Sequence, residues 1–545
     1  KTSAKMWIAK YTGYITDDFT VSAQFGKQIT DIYQENVNNY PDLIPILGST
    51  NQNPAFTGGS PITNANKVVQ YTDPSHQTRG ANYRIDLTYK LGDHTITAGI
   101  DNQRTQDLND SKLMAPNAGY AWQYGRQNNP ASEIADGEVD APIGYPGGQN
   151  GHFVDKYVQY TSASTRVEQR AQYIEDTWQV TDRWLVKIGL RNDQFTNYNP
   201  DGDAYITQTR PQWAPRLGFS WDVFGDSSFK VYGNAGRYYL ALPTSVALRG
   251  ASGSYYTKEY YTYTGIDANG YPTGLTPINT YQGAGVPYSA NREYGQQPDP
   301  KTVTAKNLKA QNQDEYILGF DKVLNDQLNF GMKATYRRLN RIIDDVCDTD
   351  VLEGQAIAQG ADVTGLRGCY FFNPGNAATF QLPNATGGYQ QVHITNADFG
   401  FPKPKRKYYA LDTYLEHPFD GKLWGRITYT FSKSYGNSEG QVKSDIGQQD
   451  IAATQDWDYP SIMEYGSGRL PNDHRHQIKA FGTWQITPEW NIGGILQMAS
   501  GSPKSCEGLY GPNQTVPAYN GNYYHWCDGV PSPYGSKGTN AWTHI

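Results

Sequence analysis

The stretch Tyr83-Arg84-Ile85-Asp86-Leu87-Thr88-Tyr89-Lys90-Leu91 alternates apolar and polar residues without a break. The turn Gly92-Asp93 separates it from His94-Thr95-Ile96-Thr97-Ala98-Gly99-Ile100-Asp101, which alternates in the same way. A period of two, with ionic side chains on the second face, describes a sheet with one apolar side and one wet side. The same order of tight turn, strand, long polar loop, strand and tight turn returns along the whole chain. It is the pattern of a large antiparallel transmembrane β-barrel, all-β, with lipid outside and a polar lumen within.

The pattern predicts about 14 strands in about seven hairpins. The first hairpin carries Trp7, Ala9, Tyr11, Gly13 and Ile15 on one face, then Phe19, Val21, Ala23 and Phe25 after Thr16-Asp17-Asp18. The third returns from Thr181-Asp182-Arg183 as Trp184, Val186, Ile188 and Leu190, but its first strand alternates too poorly for its faces to be assigned. The fourth runs through Leu217, Phe219 and Trp221, and the fifth through Tyr316, Leu318 and Phe320 into Phe330, Met332 and Ala334. The sixth turns at Asp420-Gly421-Lys422 before Ile427, and the seventh at Thr487-Pro488-Glu489. Trp184, Trp424 and Trp490 each follow a tight turn closely, as the indoles of an interfacial girdle do.

The totals agree. The chain has 545 residues and a net charge of −7, too mild a charge to point to a nucleic-acid partner. Mean hydropathy is −0.69, and no apolar run approaches the ~18 residues of a membrane helix. A barrel tolerates such polarity, because only alternate strand residues meet lipid. Tyr (43), Gly (56) and Trp (12) are abundant, and all three suit strands, girdles and loops.

Between the hairpins lie Gly-, Asn-, Tyr-, Pro- and Ser-rich stretches near 28–80, 106–166, 240–308, 344–403, 436–471 and from 501 onward. They are far longer than ordinary connections. In a barrel the long loops face outside, and an investment of this size indicates a gate or a recognition surface. Two Tyr-rich loop segments are candidate ligand-binding surfaces: Tyr120, Trp122 and Tyr124, and Tyr255, Tyr256, Tyr260, Tyr261 and Tyr263. Packing of loop on loop explains them as well. Cys347 with Cys369, and Cys506 with Cys527, fall pairwise within single loops. In an oxidising compartment they are expected to form two local disulfides.

The phase of the strands turns Arg84, Asp86, Lys187, Arg191, Arg216, Asp222, Lys333 and Arg426 toward the lumen, together with Lys90, Asp101, Asp193 and Arg337. Both signs are present, which suits either a wet interior or contacts with an inserted plug.

Enzyme chemistry finds no support: the chain has no Walker loop, nucleophile elbow or dinucleotide turn. His474 and His476 share a strand face but lack further ligands for zinc. Asn197, Asn199 and Asp201-Gly202 open like a calcium loop, yet Gln208 stands where a bidentate Glu belongs. The acidic group Asp344, Asp345, Asp348 and Asp350 reads as a solvated loop base, with loop-bound calcium as the lesser alternative. No catalytic residue, metal site or cofactor is expected.

Several strings resemble one family. YIEDTWQVTDRWLVKIGLR, and WAPRLGFSWDVFGD followed by KVYGNAGRYY, are similar to barrel strands of TonB-dependent outer-membrane receptors. YTFSKSYGNSEG, LPNDHRHQIKAFGTW and the later SGSP resemble the Oar-like subgroup, whose precursors carry a carboxypeptidase-regulatory-like domain. The resemblance runs from about Tyr173 to Pro503 and is thin in the loops. It implies a barrel of about 22 strands closed by an N-terminal plug, in the outer membrane of a Gram-negative bacterium. It also implies import of an extracellular ligand, driven by the TonB energy-coupling complex.

On this reading residues 1–545 are a barrel fragment, with the plug domain and the terminal strands outside it. The expected partners are outer-membrane lipid and lipopolysaccharide, the protein's own plug, the TonB complex and an unidentified extracellular ligand. The alternative is a passive porin, or a surface adhesin or secretion-related barrel.

Overall fold

The computed structural model describes residues 2–32, 40, 42–114, 118–135, 137–290, 292–364, 366, 369–448, 451–508, 524–541 and 543–544. Among the described residues the wall is built of fourteen long strands. They are β1 (Thr2–Tyr14), β2 (Phe19–Ile32), β3 (Gln77–Leu91), β4 (His94–Met114), β5 (His152–Thr181), β6 (Trp184–Tyr198) and β7 (Trp213–Asp222). The chain continues as β8 (Phe229–Leu240), β9 (Gln311–Asn325), β10 (Leu328–Arg341), β11 (Arg406–His417), β12 (Leu423–Gly436), β13 (His476–Gln485) and β14 (Asn491–Ala499). Each pairs antiparallel with the next in chain order. After β14, the two-residue strand Thr543–His544 pairs with Met498 and Ala499. Among the described residues, β1 has a neighbour on one side only. The strand count and the up-and-down order are those the alternation predicts.

Register fixes the two faces. Leu87 stands opposite Val21 and Ala98, and Ile188 opposite Asp176 and Leu217. Leu87, Ile188, Leu217 and Leu318 are 45, 51, 54 and 58% exposed, because lipid and not protein is meant to cover them. Arg84 faces Gln24 and Asp101, while Lys333 faces Gly319 and Asp412, on the opposite side of the wall.

β5, whose faces the sequence left open, falls into place by pairing. Ile174 lies between Ala98 and Leu190, so Ile174, Trp178 and Val180 face outward. Its alternation is poor because Asp176 shares that lipid face. Asp176 Oδ2 pairs with His94 Nδ1 at 2.7 Å, and the His94 ring stacks on Trp178 at 5.2 Å. The group lies beside the tight turns at the ends of β4 and β5, at the level where aromatic and polar groups meet headgroups.

Trp184 stacks on Trp221 on the outer face at 5.0 Å, and Trp490 is exposed, both as an interfacial girdle requires. Trp424 differs: it is in phase with Arg426 and packs on Phe481 at 5.5 Å, inside the wall. The tight turn fixes its height, while strand phase decides its face.

Glycines on the lumen side make room for tyrosines from neighbouring strands. A Cβ at Gly99, Gly319 or Gly331 would collide with Tyr173, Tyr232 or Tyr414 respectively. The covering ring shields backbone that a bare glycine would leave open.

The outer face also holds an apolar groove of about 780 Å³, with Gly233, Ala235 and Ala334 between Leu217, Tyr316 and Leu411. Acyl chains fill such a depression in a bilayer. The buried apolar core of the protein lies elsewhere, in the long loops.

Candidate functional site

The loops at the open ends of the hairpins fold on one another. Between β10 and β11, Asp344–Val346 pairs with Tyr370–Phe372, and Ala378–Pro383 pairs with Tyr389–Ile394. The helix Thr349–Ala358 starts where the Asp348 side chain accepts a hydrogen bond from Val351 N, a helix cap. Leu352, Phe372, Phe380, Val392, Phe399 and Trp457 form a dry core there. A second cluster joins Tyr205, Leu242, Val303, Ile343, Phe371 and Ala452, and so ties together four separate loops.

The acidic group is no solvated loop base. Asp344 is wholly buried and accepts hydrogen bonds from Thr454 N (2.7 Å) and Thr454 Oγ1 (2.9 Å). Burial, with Asp345 beside it, pushes its carboxyl well up. Asp344 anchors one loop to the next, and Asp348 caps the helix. His474 and His476 are likewise committed to Ser500 O and to Tyr429 Oη. Asn199 closes its own turn onto Asp203 N.

The predicted aromatic residues lie on a small sheet standing on the loop end of β5. The loop end of β5 pairs with Ala121–Arg126 on one side and with Tyr255–Thr262 on the other. One cluster gathers Tyr120, Trp122, Tyr124, Tyr261 and Tyr263, with Tyr124 edge-on to Tyr263 at 5.3 Å and Trp122 edge-on to Tyr261 at 6.2 Å. Tyr260 points to the other face, against Phe153. Tyr255 and Tyr256 sit further along, on Tyr160 and Tyr157. Tyr124 and Tyr263 are about fully buried, and their hydroxyls meet Gly270 O and Asn53 N. Tyr120, Tyr255, Tyr256 and Tyr261 keep part of their surface in solvent.

A polar cleft of about 890 Å³ opens between the loop after β8 and the loop after β10. Glu138, Arg292, Asp299 and Glu353 line it, with Tyr281, Tyr294 and Tyr370. Arg292 bridges the two loops through Glu353 at 2.5 Å and Leu366 O at 3.3 Å. Its size is that of a small-molecule site. No periodic pattern marks these four charges, so sequence reasoning passed over them.

The charges expected to face the lumen find partners within the wall itself. Arg84 pairs with Asp86 at 2.9 Å and donates to Tyr173 Oη. Arg191 bridges Asp101 and Asp193, Lys187 reaches Glu175, Lys333 reaches Asp412, Arg337 meets Glu315 and Arg426 meets Glu416. Arg216 lies over the Tyr238 ring. Asp222 instead accepts Gly225 N and Ser227 N, closing its turn. Several of these pairs join adjacent strands, a sheet-stabilising arrangement, and most remain partly hydrated.

Both expected disulfides are formed, Cys347–Cys369 and Cys506–Cys527. No helix among the described residues is long and apolar enough to cross a membrane; the strands do the crossing.

Fourteen strands with an apolar outer face, a charged inner face, short turns at one end and packed loops at the other define an outer-membrane β-barrel. Residues 1–203 match the family described as "Outer membrane beta barrel domain". The chain is 26% identical over 428 residues to the TonB-dependent transporter Oar of Myxococcus xanthus, covering 76% of this chain and 36% of the relative. The chain is thus similar in sequence to the TonB-dependent transporter Oar, and its fold and the matching domain are those of a barrel of the bacterial outer membrane.

The chain spans about a third of the length of that relative. Solved structures with a similar arrangement include the outer membrane transporter YddB from Escherichia coli (TM-score 0.40, 10% identity, 100% of this chain and 68% of the other). The alcaligin outer membrane receptor FauA from Bordetella pertussis is another (TM-score 0.34, 9% identity, 91% and 60%).

Proposed function

We propose that the intact protein binds a ligand at its extracellular loops and imports it through a plugged barrel, with energy supplied by the TonB complex. The observation that carries this reading is the loop cap: four loops share one core, and two of them, after β8 and β10, flank a cleft of ligand size that carries charged side chains. A bare pore has no use for such a cap. The similarity to the transporter Oar supports the same reading.

The partly exposed rings Tyr120, Tyr255, Tyr256 and Tyr261 and the cleft charges Arg292 and Glu353 are the proposed ligand contacts. Further strands beside β1 and beyond Thr543–His544 would satisfy the open sheet edges, for which hydrocarbon offers no partner. A plug domain would lie against Arg84, Lys187 and Arg216, and the outer face meets lipid and lipopolysaccharide.

Conductance of the intact protein in planar bilayers tests the proposal. A plugged importer passes little current, and its uptake in cells stops when the coupling complex is deleted. Free conduction by the intact protein, with uptake unchanged by that deletion, would establish the porin or adhesin reading instead.

A further inference from the structure

We infer that His76, Asp107 and Asp110 form a binding site for one divalent transition-metal ion at the extracellular rim of the barrel, on its lumen side. The inference is independent of transport and holds or fails for any function of the barrel.

The site is made by a break in the β4 ladder. Asp107 pairs with Thr165 and Asp110 with Ala163, so Leu108 and Asn109 share the space opposite Ser164. Asn109 takes φ 54° to allow this. On a regular strand, residues three apart point to opposite faces; the bulge brings both carboxylates to one face. That face is the lumen side, because Asp107 pairs with Thr78, in phase with Arg84. Asp107 lies farther from the β3–β4 turn than the ~9–11 residues a tilted strand needs to cross hydrocarbon, which places the group above the membrane.

His76, in the segment leading into β3, closes the triad. Its Nε2 is 2.8 Å from Asp107 Oδ1 and 3.9 Å from Asp110 Oδ1. The three donor atoms all lie within 4.8 Å of one another. Metal–ligand bonds of about 2.0–2.2 Å are met by small side-chain shifts from these positions.

The apo group is electrostatically unbalanced. His76 is 8% exposed, and its Nδ1 is buried without a hydrogen-bond partner. A dication relieves the repulsion between the two carboxylates and takes the imidazole nitrogen that now leans on one of them.

The surroundings hold the donors in place. Asp107 accepts hydrogen bonds from Thr78 Oγ1 (2.9 Å) and Thr244 Oγ1 (3.1 Å), an orienting layer of the kind metal ligands carry. Thr244 belongs to the loop after β8, and its carbonyl accepts from Thr165 Oγ1. An ion here would therefore fasten that loop to the wall. One imidazole and two carboxylates suit Zn²⁺, Mn²⁺ or Co²⁺ better than Ca²⁺, which prefers all-oxygen shells. The Asp107 and Asp110 side chains keep 14 and 19% of their surface exposed, leaving a way in.

The test uses the intact, detergent-purified protein stripped with chelator and titrated with Zn²⁺ against a chromophoric competitor. The expected result is one zinc equivalent more in the wild type than in His76→Gln, and at least tenfold weaker binding at this site in Asp110→Asn. If His76→Gln fails to migrate as a folded barrel, Asp110→Asn, which keeps the side-chain shape, decides. Equal stoichiometry and affinity in wild type and Asp110→Asn would overturn the assignment. So would zinc-edge anomalous diffraction from zinc-saturated crystals with no peak between the three side chains.

Discussion

Lys443 and Glu507 meet at 2.9 Å in a buried site, although 64 residues and the whole of β13 and β14 separate them in sequence. Lys443 also reaches Asp456 at 2.8 Å, Asp445 at 3.5 Å and the Tyr534 hydroxyl at 3.0 Å. One ammonium among three acids fastens the loop after β12 to the loop after β14. His525, buried beside them, lies 3.7 Å from Glu507.

The tie should depend on pH on both sides. Burial, helped by Asp445 and opposed by Lys443, pushes Glu507 up to about 8. Its contribution is complete below the ordinary value of 4.5 and is lost as pH rises through about 8. Burial, helped by Lys443, pushes His525 down to about 4, so its contribution is complete above 6.5 and is lost as pH falls through about 4. The tie is then strongest between 4.5 and 6.5. Hydrogen exchange over residues 524–541, corrected for intrinsic rates, should accelerate on either side of that window. Glu507→Gln should flatten the alkaline arm alone; an unchanged profile would count against this account.

Barrel phase predicts opposite outcomes at adjacent positions. Leu87→Arg places a cation in hydrocarbon and should cost roughly 2–4 kcal/mol, whereas Thr88→Arg should be tolerated on the wet face. The Thr88 hydroxyl shares a 3.2 Å hydrogen bond with the Thr97 hydroxyl across the strand pair. Cysteines at the two positions check the assignment: a lipid-soluble reagent should label Leu87→Cys and spare Thr88→Cys.

Tyr414 lies over Gly331 and donates to Asp321 at 2.8 Å. Gly331→Val should displace the ring, break that hydrogen bond and cost about 1–3 kcal/mol through overpacking. Gly331→Val combined with Tyr414→Ala should recover part of the loss. Denaturant unfolding followed by heat-modifiable gel migration measures both.

Each disulfide closes a loop of just over twenty residues, the sequence separations being 22 and 21. In the chain-entropy picture such a closure contributes roughly 3 kcal/mol, felt locally. Reduction should speed proteolysis of the loops and leave the wall folded. Cross-pairing between the two loops in a non-reducing peptide map would contradict the connectivity.

The alternation of Tyr83 to Leu91, repeated hairpin by hairpin, determined the all-β class, the strand number and the lipid-facing set by itself. Side chains on a strand have a period of two whatever surrounds them, and the bilayer demands one continuous apolar face. The cysteine pairing was legible for a similar reason, since each pair sits in one loop. Local signals stop there. Trp424 turned inward although it too lies within two residues of a tight turn, because it stands one position further from its turn than Trp184. Asp176 went to the lipid face because His94, on the neighbouring strand, was there to pair with it. Asp344 is buried because Thr454, more than a hundred residues away, supplies its hydrogen bonds. The Lys443 cluster, the Arg292 cleft and the His76 triad join residues from separate loops or across a strand bulge. Only the pairing of the hairpins into one wall brings loops of unrelated sequence side by side, so no period along the chain announces what they build together.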